Sequence, residues 1–209
     1  MPDHLGLAYY IYIFKNRKER AMENKTKLKL KYNATVVLTF FIVCFIMLLL
    51  DYVTLGAINK IFMSQPSSLL NPLTYVRLFT HVICHSGWEH FFNNMMLFII
   101  LGPMLEEKYG SKKILATILI TAVVTSIINN LFFNSGLLGA SGVIFMFIIL
   151  SSLTAFKEKE IPLTFIFVLI MYLGQEVLGL FKMDNISQLA HILGGICGAI
   201  FGFILNRKK

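Results

Sequence analysis

Ser141 and His191 are the two residues whose types could do chemistry together in this sequence. Ser141 lies in a stretch of small residues (139–142) that opens a strongly apolar segment. A hydroxyl there needs a packing partner or water, because apolar surroundings leave polar groups unsatisfied. A serine becomes a nucleophile when a base removes its proton and donors hold the oxyanion. His191, in the last apolar segment, is the candidate base for Ser141.

A second polar pair, His90 and Asn94, provides the candidate donors. The two residues lie four apart and therefore share one face of a helix. Both side chains can donate hydrogen bonds to an oxyanion. Two alternatives stay open: the pair could tie helices together, and the adjacent Asn93 could take the place of Asn94.

A metal site and a cysteine nucleophile are further hypotheses for the same region. The metal hypothesis rests on His81, His85 and His90. Apart from Cys84 and Glu89, no carboxylate or thiolate lies at matching spacing. Cys84 is next to His85 but has no evident oxyanion donors. We therefore predict a site without a metal or a cofactor.

The composition indicates that these residues are carried by a polytopic membrane protein. The 209 residues are 56% hydrophobic and 14% charged, whereas soluble proteins have about a quarter charged residues. The net charge of +8 comes from basic residues at the ends of apolar segments, which is typical of topology signals rather than of nucleic-acid binding. Cys44, Cys84 and Cys197 are odd in number, and no disulfide framework follows from them.

An all-α fold with six membrane-spanning helices is the architecture that the apolar segments predict. We place the spans at 34–55, 89–106, 113–134, 139–156, 161–181 and 187–205, the fourth being short. Residues 1–33 form a basic cytoplasmic segment, and 34–206 form the membrane domain. With the N-terminus inside, sixteen of the nineteen Lys and Arg residues lie on the inner side, which predicts that both termini are cytoplasmic.

This topology brings three distant segments to one level of the membrane. Helices two, four and six all begin on the outer side, so His90, Ser141 and His191 lie roughly 5–10 Å below the outer surface. The connection 56–88 is predicted to be a structured loop in the outer interface, with Trp88 as an anchor. The convergence predicts a site at this level, and the short fourth helix, together with polar residues nearby, suggests that it opens outward.

A glycine face on the sixth helix predicts how His191 reaches Ser141. His191, Gly194, Gly198 and Gly202 recur at helical spacing, and a face without Cβ atoms lets another backbone approach closely. The small residues around Ser141 are the obvious partner. The same face is also typical of plain helix packing with an unrelated histidine.

From about Val76 to Gly202, the sequence resembles the rhomboid family of intramembrane serine proteases. Four motifs carry the resemblance: a histidine-rich stretch ending in HxxxN, a glycine–glutamate–glycine turn, a GxSG stretch and an AHxxGxxxG stretch. Their residues here are His81, His85, His90 and Asn94; Gly102, Glu106 and Gly110; Gly139 to Gly142; and Ala190, His191, Gly194 and Gly198.

The resemblance implies a Ser141–His191 dyad without a third carboxylate. It also implies an oxyanion hole formed by His90, Asn94 and the Ser141 backbone N–H, with an outer loop structured by Arg77 and supported by His85. Implied substrates are single-span membrane proteins in the lipid bilayer of a bacterial-style inner membrane, cut near their outer end after a small residue.

Two departures and two alternatives accompany the resemblance. Val76 replaces a tryptophan that is frequent before Arg77. Phe145 replaces a frequent tyrosine, and its ring can still pack on His191.

The polar set that includes His81, Asn94 and Gln188 suggests a water-filled cavity. The alternatives are a proteolytically silent protein that binds and sorts transmembrane helices and, less favoured, a histidine-lined transporter, because no span carries a mid-membrane charge.

Overall fold

The computed structural model describes residues 9–18, 31–154, 161–180 and 188–207. The chain divides into two units, Met1–Tyr32 and Asn33–Lys209. In the first unit, helix α1 (9–18) presents the exposed apolar side chains of residues 9–14. The predicted connections 157–160 and 181–187 lie outside the described residues.

The described part of the second unit is helical, which confirms the predicted all-α class. Its helices are α2 (Thr35–Val53), α3 (Ala57–Phe62), α4 (Pro72–Thr80), α5 (Trp88–Tyr109), α6 (Ser111–Phe132), α7 (Ser141–Ser152), α8 (Leu163–Leu180) and α9 (Gln188–Asn206). Each predicted span overlaps largely with one of α2, α5, α6, α7, α8 and α9, although α5, α6 and α9 extend beyond the predicted bounds. Within the described residues, α2, α6 and α9 are long and apolar enough to cross a membrane, so the number six stays a prediction.

The connection between α2 and α5 is folded rather than extended. It contains α3, α4 and a single 3₁₀ turn at His81–Ile83. The Asn71 side chain caps α4 by accepting a hydrogen bond from the Leu73 amide at 3.0 Å, and Pro72 occupies the first helical position, where its missing N–H costs nothing.

Helix α7 is shorter than predicted, covering Ser141–Ser152 instead of 139–156. Gly139 has φ +113°, a conformation that side chains with a Cβ rarely adopt, and it ends the preceding loop just before the helix. Twelve residues span only ~18 Å. Helix α7 is buried on nearly every side, as expected for a helix with apolar residues on all its faces.

Glu106, near the end of α5, caps the start of α2 from another part of the chain. Its carboxylate accepts hydrogen bonds from the amides of Val36 at 3.0 Å and Val37 at 2.9 Å, and from the Ser111 hydroxyl at 2.6 Å. The N-terminal amides of α2 have no side-chain cap of their own. A carboxylate satisfies them and complements the positive end of the helix dipole.

Gly102 explains why α2 and α7 can both lie against α5. A Cβ at this position would lie 2.8 Å from both methyl groups of Val37 and 3.3 Å from the Phe147 ring. The Phe98 and Phe147 rings stack beside it, with centroids 5.2 Å apart. The glycine of the predicted turn thus lets α7, which carries Ser141, pack closely on α5, and the glutamate fixes the start of α2.

Candidate active site

Ser141 is the first residue of α7, and the connection between α2 and α5 holds the loop that leads into it. Ser64 and Leu137 exchange two backbone hydrogen bonds of 2.9 and 2.7 Å. The Gly139 amide donates to the His81 carbonyl at 2.9 Å. The first amides of a helix have no partner inside the helix, so the half-buried Ser141 lies at a helix end that favours negative charge.

Helix α9 approaches α7 through its glycines. A Cβ at Gly194 would overlap the Gly142 carbonyl oxygen, and a Cβ at Gly198 would lie 2.5 Å from the Met146 carbonyl oxygen. A Cβ on Gly142 would meet the carbonyl oxygen of Ala190 at 3.1 Å. Gly142, which follows Ser141, therefore packs directly against Ala190, which precedes His191.

The imidazole of His191 packs on Phe145, with ring centroids 4.2 Å apart. Phe145 lies four residues after Ser141, so the two side chains share a face of α7. His191 therefore lies along the face of α7 that presents the serine. Gln188 begins α9 one turn before His191 and is half-buried.

The two candidate donors of α5 face the loop that ends at Ser141. A Cβ on Gly139 would lie 2.6 Å from both Cε1 and Nε2 of His90 and 3.7 Å from Nδ2 of Asn94. The glycine is thus needed for its space as well as for its backbone conformation. The side chains of His90 and Asn94 therefore both lie next to Gly139, two residues before Ser141.

Asn94, and not Asn93, is the asparagine on this side of α5. Asn94 is buried, whereas Asn93 is exposed. The Nδ2 atom of Asn94 is buried and has no hydrogen-bond partner among the described residues. A buried donor without a partner costs free energy, and such groups are common where a ligand or water completes the bonding.

Ser86 is a contact of His90 that the sequence reasoning missed. Its hydroxyl lies 3.0 Å from Nδ1 of His90, and its backbone N–H donates to the same atom at 3.4 Å. Ser86 belongs to no motif, and its spacing of four from His90 was the one available signal.

Arg77 is buried inside the connection between α2 and α5 and links its own helix α4 to two other segments of that connection. Its guanidinium donates to the Ile61 carbonyl at 2.7 Å, the Lys60 carbonyl at 3.3 Å and the Ser67 hydroxyl at 3.2 Å. Its own carbonyl lies 3.1 Å from Nδ1 of His81. These bonds satisfy the polar backbone of a connection that would otherwise leave it unpaired.

His81 and His85 are both buried, and their environments keep them neutral. Burial lowers the pKa of His81 to about 4, although hydrogen bonding to backbone carbonyls opposes the shift. Burial and then the nearby His90 lower the pKa of His85 to about 3. The His85 ring packs edge-to-face against His90 at 5.2 Å and Phe91 at 5.5 Å, so it supports the wall of the site.

The thiol of Cys84 is poorly suited to act as a nucleophile. It is buried, and burial, followed by the charge of Asp51, raises its pKa to about 12. A thiol with such a pKa is not ionised near neutral pH, and the thiolate is the reactive form. Within the described residues, no three His, Cys, Asp or Glu side chains gather as a metal site requires.

Comparison with known proteins agrees with the motifs. The family model of the Rhomboid domain matches residues 72–208. Rhomboid protease GlpG of Haemophilus influenzae is 25% identical over 136 residues, which cover 64% of this chain and 71% of that protein. Putative rhomboid protease YdcA of Bacillus subtilis is 29% identical, covering 64% and 68%. RHOMBOID-like protein 1 of Arabidopsis thaliana is 29% identical, covering 61% of this chain but 34% of its own length.

Proposed function

The chain belongs to the rhomboid family of multi-pass membrane proteins, and from that membership we propose that it is an intramembrane serine protease. The proposed nucleophile is Ser141, the proposed base is His191, and the substrates are membrane proteins. The proposed reaction uses a Ser141–His191 dyad without a third carboxylate.

One observation carries the proposal: two hydrogen-bond donors converge next to a serine at a helix N-terminus. His90 Nε2 and Asn94 Nδ2 both face Gly139, and the buried Asn94 donor has no partner among the described residues. Preorganised donors that point to one place beside a nucleophile are what an oxyanion hole requires. A pair that only tied two helices together would have its donors satisfied by the neighbouring helix.

The reaction then proceeds by acyl transfer. His191 accepts the Ser141 proton as Oγ attacks the carbonyl carbon of the scissile peptide bond, and the carbonyl oxygen becomes an oxyanion. His90, Asn94 and the Ser141 backbone N–H hold that oxyanion. His191 returns the proton to the leaving amine, and the acyl-enzyme forms. Water, deprotonated by His191, hydrolyses the acyl-enzyme and regenerates Ser141.

The membrane arrangement is part of the same proposal. Six helices cross a bacterial-style inner membrane with both termini in the cytoplasm, as the distribution of Lys and Arg supports. The active site opens to the extracytoplasmic side, where water reaches it. The substrates are single-span proteins whose transmembrane helix unwinds near its outer end, with a small residue before the cut.

The decisive experiment combines cleavage and binding. Purified protein in liposomes is incubated with a single-span model substrate, and the products are mapped by mass spectrometry, beside a Ser141→Ala control. We expect cleavage by the wild-type protein alone. Substrate that co-purifies uncut with the wild-type protein would instead support the silent protein that binds transmembrane helices.

A fluorophosphonate probe tests the nucleophile without any choice of substrate. We expect labelling that Ser141→Ala and His191→Ala both abolish. Ser152→Ala is the matched control on the same helix, because its hydroxyl donates to the Ile149 carbonyl at 2.7 Å and lies a full helix length from the site. Labelling that survives Ser141→Ala would refute the dyad, and inhibition of cleavage by chelators would favour a metal site.

A further inference from the structure

The Nδ1 atom of His90 has a defined hydrogen-bonding role in this structure. A backbone N–H can only donate, and the Ser86 amide points at Nδ1 from 3.4 Å. The Ser86 hydroxyl lies 3.0 Å from the same atom, and beside a nitrogen that accepts from the amide it must be the donor. Nδ1 is therefore an acceptor, and a neutral imidazole that accepts at Nδ1 has its proton on Nε2.

The other ring nitrogen faces the site. Nε2 of His90 lies next to Gly139, which is two residues before Ser141. A Cβ on Gly139 would be only 2.6 Å from this nitrogen. With the proton on Nε2, His90 presents an N–H to this space. With the proton on Nδ1, it would present a lone pair, which repels an oxyanion.

The loop that carries Ser86 is fixed by contacts on its other side. Asn59 donates from Nδ2 to the His85 carbonyl at 2.9 Å. Asn59 is itself held by Asp51, whose carboxylate accepts from the Asn59 amide at 2.8 Å and from Nδ2 at 2.7 Å. These bonds tie His85, the residue before Ser86, to the end of α2.

We infer that Ser86 is a positioning residue that sets the tautomer and the ring orientation of His90, so that Nε2–H points toward the oxyanion. This inference rests on the proposed protease function. Ser86 acts through His90 and does not contact the reacting atoms. A hydroxyl at position 86, together with the loop amide, selects the donor form of the imidazole before any substrate binds.

The kinetic experiment compares three variants with the wild-type protein. Ser86→Ala removes the hydroxyl and leaves only the longer amide contact, so kcat should fall about five- to tenfold. KM should change by less than about twofold, because the lost effect is on charge that develops in the transition state. Ser86→Thr retains a hydroxyl and should restore most of kcat.

Ser68→Ala is the matched control in the same connection between α2 and α5. Its hydroxyl accepts from the Leu70 amide at 3.2 Å on the exposed surface, and kcat should stay at the wild-type value. Full kcat in Ser86→Ala would overturn the inference, and so would a Ser86→Thr variant as slow as Ser86→Ala.

A spectroscopic measurement tests the tautomer without any cleavage. ¹⁵N-histidine-labelled protein is studied by NMR at pH 7.5, with the His90 signals assigned by their loss in His90→Gln. We expect a proton on Nε2 in the wild-type protein and a mixture of tautomers in Ser86→Ala. A proton on Nδ1 in the wild-type protein would overturn the inference. If His90 has the expected tautomer but the wild-type protein cleaves nothing, the protease proposal fails and the assignment of Ser86 stands.

Discussion

The ring of Phe145 lies 4.2 Å, centroid to centroid, from the imidazole of His191, with the two planes inclined by 33°. Phe145 is one turn of α7 beyond Ser141, so its ring limits how far the imidazole can turn away from the serine. The contact is made by ring faces and needs no hydroxyl. It explains how phenylalanine can stand where a tyrosine is frequent in the family.

Substitution of Phe145 should therefore depend on the ring and not on polarity. Phe145→Ala frees the His191 imidazole, and we expect kcat to fall roughly tenfold to a hundredfold, since misplacement of about 1 Å can cost the larger factor. Phe145→Tyr retains the stacking face and should stay within about twofold of the wild-type rate. Equal activity of the alanine and tyrosine variants in a cleavage assay would contradict this role.

Asn94 and Asn93 form a matched pair for testing the oxyanion hole. Loss of one oxyanion donor costs ~10²–10³ in kcat, and Asn94 Nδ2 is the buried donor that faces Gly139. Asn94→Ala should lower kcat by about that factor, with a small change in KM. Asn93 is exposed, and Asn93→Ala should be nearly neutral. A larger loss from Asn93→Ala would assign the hole to the other asparagine.

The buried His81 and His85, in the connection between α2 and α5, predict that the free energy of unfolding falls as the pH falls. The folded-state pKa values of His81 and His85 are about 4 and about 3, below the 6.5 of an unfolded chain. Below about pH 6.5 the unfolded state binds protons that the folded state does not, so each group lowers the free energy of unfolding by ~1.4 kcal/mol per pH unit. The loss ends near the folded-state pKa.

Thermal unfolding in detergent between pH 7.5 and pH 4.5 measures this effect. We expect a constant Tm above about pH 6.5 and a decrease below it. His85→Phe replaces the titrating ring with one that does not titrate and retains the packing against Phe91, so its Tm should decrease less steeply. A Tm that is the same at pH 7.5 and pH 5 would contradict the buried neutral state.

Glu106 and Glu107 allow a carboxylate with a structural role to be compared with one on the surface. Glu106→Gln removes the charge that caps α2 and at most one of the acceptors used by Val36 and Val37. We expect a loss of about 1–2 kcal/mol in the free energy of unfolding. Glu107 is exposed, and Glu107→Gln should change stability by less than about 0.5 kcal/mol. Denaturant titration of both variants distinguishes the two roles.

The sequence predicted the features that depend on local periodicity and small side chains. Helical spacing brought His90 and Asn94 to one face, and the glycines predicted the approach of α9 to α7, which the contacts of Gly194 and Gly198 confirm. Backbone contacts between distant loop segments were not predictable. The Ser64–Leu137 backbone pairing has no periodic signal, and the chemical roles of the site residues stay predictions.

The glycine face of α9 is the step that links packing to catalysis, and two substitutions test it at different distances from the serine. A Cβ at Gly194 would overlap the Gly142 carbonyl, beside Ser141, and a larger side chain at Gly198 would meet Met146 O and the Ile149 Cβ. These neighbours are backbone or near-backbone atoms that cannot move aside. Gly194→Ala and Gly198→Val should therefore push the helices apart and lower kcat about a hundredfold.

Gly202→Val is the control for this prediction, because a Cβ at Gly202 would meet mainly the side chain of Leu153, which can adopt another rotamer. Its rate should fall less than that of Gly198→Val, while both variants lose some thermal stability through overpacking, typically 1–3 kcal/mol. Measuring kcat and Tm together separates a displaced His191 from a generally weakened bundle. Full activity in Gly198→Val would mean that the Ser141–His191 approach does not depend on this face of α9.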